Sequence, residues 1–147
     1  MKTWLKFLII SLIIGIPAFL LGPKIWPPHP DVKPTPQQLP FFIFLSAIES
    51  LFFGFGIAFI IYGLPLLKKV SPKAKNLAVA AFIAISWLLV SWWPHDNAHI
   101  NNGLEPAGLL VIDYVFHLTL IISALVLSYY FFFVAKELQS KTVKQKR

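Results

Sequence analysis

Four apolar runs, at residues 4–22, 41–67, 77–93 and 108–134, alternate with short polar stretches along the chain. A helix rises 1.5 Å per residue, so about 20 apolar residues cross the ~30 Å hydrocarbon layer of a bilayer. The third run is near the short end of that range, and the second is long enough to span with tilt. The pattern predicts an all-α integral membrane protein, a four-helix bundle of four spans. It forms one transmembrane domain over 1–135, followed by a basic tail over 136–147.

The first run carries Lys2 and Lys6 before its apolar centre, the layout of a secretory signal peptide. GPKIWPPHP follows without a small-x-small cleavage site, so the expectation is an uncleaved first helix, kinked near Pro17. Residues 22–40 hold seven prolines and are expected as a stiff, extended strap across the bundle mouth. His29 lies in this loop and reads as a solvated histidine.

In the second run, Ser46, Glu49, Phe53 and Gly56 share a helical face. Gly54, Gly56 and Gly63 permit close helix contact. Trp92 and Trp93 end the third run as interfacial anchors, and Pro94 stops that helix or restarts the backbone as another. Asp113, His117, Leu120, Ala124 and Ser128 trace a polar-to-small seam along the fourth run. Tyr129 to Phe133 read as an aromatic belt, and the tail KELQSKTVKQKR as frayed.

Composition sharpens this picture. The 147 residues are 57% hydrophobic and 13% charged, with mean hydropathy +0.72. The net charge of +7 does not indicate a nucleic-acid reader, because eleven of the thirteen basic residues sit at the N-terminus, in the 68–76 loop and in the tail. The positive-inside rule then places both termini in the cytoplasm and the proline-rich and histidine-containing loops outside a plasma (inner) membrane. The absence of cysteine removes disulfides, thiolate metal sites and thiol nucleophiles.

The candidate chemistry gathers in WWPHDNAHINNGLEPAGLLVIDYVFH, residues 92–117, which holds three of four histidines and three of six acidic residues. His95/His99 and Asp113/His117 are i, i+4 pairs, each able to chelate from one helical face. Glu49 and His117 each lie about nine residues into their spans, hence at a common depth. An ionisable group there costs on the order of 2.5–3.5 kcal/mol, so it calls for a partner or a wet cavity. The expected site is a polar well opening outward, floored by Glu49 and His117. Asn97, Asn101 and Asn102 are supporting donors or turn residues, and Asp96 reads as a helix cap.

Two resemblances are local. His95-Asp96-Asn97-Ala98-His99 resembles the first histidine box, His-Asp-x-x-His, of membrane fatty-acid desaturases over five residues. The further histidines and longer helices of those enzymes are absent here, so the assignment is not made. Asp113-x3-His117 resembles part of the copper site in the C subunit of membrane-bound methane and ammonia monooxygenases. That family's next histidine has no counterpart after His117, and no function is carried across.

Three readings of the site follow. In the first, the chain is an accessory or structural subunit of a larger membrane complex, and Glu49, Asp113 and His117 pin its helices together. In the second, His95, His99, Asp113, His117 and Glu49 bind a transition metal; imidazole and carboxylate without thiolate suit zinc, copper or iron. The third is a proton relay, or acid–base chemistry with His117 oriented by Asp113. No nucleophile motif surrounds Ser46, Ser50 or Tyr114, which makes a hydrolase the weakest form. The partners expected are the bilayer and other membrane subunits.

Overall fold

The computed structural model describes residues 2–70 and 74–145, with side chains as far as Glu137. Its helices are α1 (Thr3–Ile25), α2 (Leu39–Val70), α3 (Lys75–Val90), α4 (Trp92–Asn102) and α5 (Pro106–Gln145). Among the described residues, four helical stretches are long and apolar enough to cross a membrane: Thr3–Ile25, Leu39–Val70, Lys75–Asn102 and Pro106–Glu137. The third is α3 and α4 in succession.

The join between α3 and α4 follows from Pro94. Proline has no N–H to give the carbonyl four residues back, and its ring crowds that carbonyl. The helix accordingly breaks at Val90–Ser91, while Ser91 N–H to Trp87 (2.9 Å) and His95 N–H to Ser91 (3.1 Å) carry the hydrogen bonding across the join. Pro94 falls in the first turn of α4, where a missing donor is tolerated. The apolar run therefore does not end at Trp93; the helix carries on for two more turns and takes His95 and His99 with it.

Small residues set the helix contacts. A Cβ on Gly15 would stand 2.9 Å from the Ser50 carbonyl oxygen, and one on Gly54 would collide with the Ser11 carbonyl, so α1 and α2 meet backbone to backbone. Gly56 faces Leu89 and Val90 of α3, whereas Gly63 is covered by the Phe59 ring of its own helix. Ala78, Ala81 and Ala84 make a buried stripe on α3, with Tyr130 of α5 (2% exposed) packed on the first two. Phe7, Ala58 and Phe59 join α1, α2 and α3.

Among the described residues the main packing runs in sequence, α1 on α2, α2 on α3 and α3 on α5, without the extensive α1–α5 packing that would close a bundle. Lipid is as apolar as leucine, so an uncovered apolar face costs a membrane helix little. Among the described side chains of α5, the buried ones are Phe116, Ser123 and Tyr130, seven apart. This period is that of shallow-angle helix packing. The expected seam is not this face: Ala124 and Ser128 are exposed, and the Ser128 hydroxyl donates to its own helix at Ala124. Tyr130 leaves the aromatic belt for the core, while Tyr129, Phe131 and Phe132 stay exposed. The backbone remains helical to Gln145 where a frayed tail was expected; side chains beyond Glu137 lie outside the described residues.

The proline-rich stretch is shorter than its sequence suggests, because α1 passes through Pro17 and Pro23 to Ile25. What remains contains a 3-10 turn at Pro30–Val32 and is tied to α4. His29 N–H donates to the Ile100 carbonyl (2.9 Å), and Asn101 Nδ2 to the Pro27 carbonyl (2.8 Å). The His29 ring rests on Gly103, whose φ of 64° ends α4 with its N–H on the His99 carbonyl. A side chain at Gly103 would meet both a left-handed backbone and the imidazole. Gly103→Ala is expected to cost about 2 kcal/mol, read as a lowered thermal midpoint of the purified protein in detergent.

Candidate metal centre

α4 presents His95 and His99 one turn apart, and α5 presents Asp113 and His117 in the same way. The two pairs meet. His99 Nε2 lies 3.1 Å from Asp113 Oδ1, and His117 Nδ1 lies 3.6 Å from the same oxygen. His95 stands edge-on to His99 (ring centroids 4.5 Å apart) and to His117 (5.6 Å). One ligand atom each from His95, Asp113 and His117 falls within 4.8 Å of the others. Ligands at 2.0–2.2 Å around a tetrahedral ion stand roughly 3.4 Å apart, so a modest inward rotation of these side chains would close a coordination sphere.

The protonation pattern suits ligation. His117 Nδ1 lies 2.9 Å from the Asp113 backbone carbonyl. A carbonyl only accepts, so Nδ1 carries a hydrogen, which makes Nε2 the ring nitrogen that could face a metal. Donation by His99 Nε2 to Asp113 Oδ1 similarly holds the carboxylate in place from outside the triad. If the group holds a metal, His99→Ala is expected to weaken its binding by about 10- to 100-fold without abolishing it, as read by competition with a chromophoric chelator.

His95 is the buried member, with its side chain 9% exposed against 47% for Asp113 and 56% for His117. Its ring stacks on Phe116 (centroids 3.7 Å apart, planes at 14°), and Trp92 packs edge-on to Phe116. The imidazole is thus fixed by aromatic packing before any ligand arrives. Its Nε2 is 3.8 Å from Asp96 Oδ1, while its Nδ1 is buried and has no hydrogen-bond partner among the described residues.

Glu49 lies elsewhere than beside His117. It faces Asp96 instead, and the two line a cleft of about 190 Å³ with Ser46, Asn97 and His99. Asp96 is thus part of the polar cluster, between Glu49 and His95, and is not the helix cap expected from the sequence, because α4 begins at Trp92 with Ser91 at the cap position. The signal for it was its i, i+3 spacing to His99. Phe116, the platform for His95, had no polar signature at all.

The remaining polar residues serve the scaffold. Asn97 donates to the Trp93 carbonyl (2.7 Å), and Asn102 to the Glu105 carbonyl (2.9 Å). Trp93, expected at an interface, is buried between Phe53 and Trp26, whereas Trp92 is exposed. His29 makes its own pair with Asp31 (3.2 Å).

The fold and this cluster define a multi-span helical membrane protein with a geometrically possible His/Asp/His ligand group. No protein-family model, curated protein or solved structure matches the chain.

Proposed function

We propose that the protein binds a transition-metal ion through His95, Asp113 and His117. The reading rests on the convergence of two imidazoles and one carboxylate from separate helices within 4.8 Å. Such a set leaves coordination positions open, as in catalytic zinc sites and in iron sites with two histidines and one carboxylate. Zinc, iron and copper all fit these donors. His99 steadies Asp113, and the Glu49–Asp96 pair extends the polar cluster through His95, a route by which protons would reach the metal. The test is metal analysis of purified protein after loading and dialysis, with one ion per chain as the expected result. Absence of retained metal would overturn the reading.

A second reading, an accessory subunit of a larger membrane complex, is favoured by α5, which leaves Ala124 and Ser128 on an uncovered face. Co-purification of a larger assembly without metal would support it.

In the orientation proposed, both termini and the basic tail are cytoplasmic, and α4 faces outward from a plasma membrane, because the basic residues crowd the opposite end. The natural chain has no cysteine, so single-cysteine labelling carries no background. On intact cells Glu105→Cys should react with an impermeant maleimide and Lys75→Cys only after permeabilisation; the reverse pattern would overturn the orientation.

A further inference from the structure

An apolar groove of about 480 Å³ runs between α2, the α3–α4 join and α5, walled by residues that include Phe53, Ile57, Ile112 and Val115. Two of its lining residues are polar, Ser91 and His95. Both carry a buried polar atom with no hydrogen-bond partner among the described residues, Ser91 Oγ and His95 Nδ1. Pro94, which also lines the groove, leaves the Val90 carbonyl without its usual helical donor. Buried polar atoms are nearly always paired, so orphans gathered in one apolar groove mark a place where a ligand supplies the missing partners.

The volume falls in the small-molecule range of about 300–1,000 Å³. A partner helix, roughly 10 Å across and 5.4 Å per turn, would fill the space with about a single turn, which makes a docked helix a poor occupant. A charged head is disfavoured at membrane depth. A hydroxyl answers both orphans, accepting from one and donating to the other.

We propose that this groove seats a single-chain membrane alcohol, its chain among the apolar walls and its hydroxyl between Ser91 Oγ and His95 Nδ1. The proposal deepens the metal reading and rests on it for one point: His95 that ligates through Nε2 must carry its hydrogen on Nδ1, where an acceptor is needed. The alcohol oxygen accepts that hydrogen and its own hydrogen goes to Ser91 Oγ, which sets the head group beside the triad.

The test is photolabelling of the full chain in lipid nanodiscs with a long-chain alcohol bearing a mid-chain diazirine, with adducts mapped by mass spectrometry and metal measured on the same samples. Adducts should concentrate on Ile57, Val111 and Val115. Unlabelled long-chain alcohol should displace them, while an alkane of equal length should not. Ser91→Ala should lower occupancy about fivefold, as loss of one hydrogen bond implies. Ile112→Trp, which fills the groove, should abolish labelling without loss of metal. Adducts spread evenly over lipid-facing positions such as Ile13 and Leu125 would overturn the proposal. So would equal displacement by alkane, or groove protection traced to cross-linking with a second copy. Groove labelling in metal-free wild type would support the alcohol site and sink the metal reading; retained metal with even labelling would do the opposite.

Discussion

Under the proposed metal reading, His117→Ala is expected to abolish metal retention, lowering affinity on the order of 100-fold or more. Loss of a supporting residue such as His99 costs about 10- to 100-fold, and a directly coordinating imidazole must cost at least that. The imidazole is aimed by the 2.9 Å bond from Nδ1 to the Asp113 carbonyl, so the substitution removes a preoriented donor and leaves the helix backbone intact. The paired measurement is metal content and helical circular dichroism of wild type and variant. Unchanged dichroism with lost metal is the predicted result; equal metal in both proteins would remove His117 from the site. Acidification should act in the same direction, because proton and metal compete for the same nitrogen lone pair.

Gly54→Leu is expected to be the most damaging single substitution in the scaffold, at about 3 kcal/mol, the upper end of the overpacking range. The new side chain would enter space held by the Ser11 carbonyl and the Gly15 nitrogen. These are backbone atoms and cannot rotate aside, so α1 and α2 must separate along their whole contact. Gly22→Ala is the control: its Cβ would first meet the Asn97 side-chain oxygen at 3.3 Å, which can give by a few tenths of an ångström. Thermal unfolding in detergent should show a large drop for Gly54→Leu and a small change for Gly22→Ala. Equal midpoints would mean that α1 does not pack on α2 as described.

Much of the candidate site was legible locally. The i, i+4 pairs His95/His99 and Asp113/His117 follow from helical period alone, and so does the inward face bearing Ser46, Glu49, Phe53 and Gly56. The same reasoning failed for the partner of Glu49. Equal distance along two helices gives a common depth, but side chains at one depth meet only if the helices are turned toward each other. α2 turns Glu49 to Asp96 on α4, and the carboxyl pair replaces the expected floor of Glu49 and His117. Trp93 illustrates a second limit. Indole at the end of an apolar run suits an interface or a core equally well, and burial between Phe53 and Trp26 depends on neighbours far along the chain.

From residue order alone came the number of helices long and apolar enough to span a membrane and the two i, i+4 pairs His95/His99 and Asp113/His117, because hydropathy and the helical repeat act within a few residues. Tertiary structure decided that Pro94 interrupts the third span without ending it, that α4 and α5 bring His95 to Asp113 and His117, and which face of α5 is covered. The physical reason is that acyl chains and a protein interior are both apolar. Polarity therefore marks where a membrane helix begins and ends, while the choice of its packed face rests on the shapes of glycine, alanine and aromatic side chains in contact.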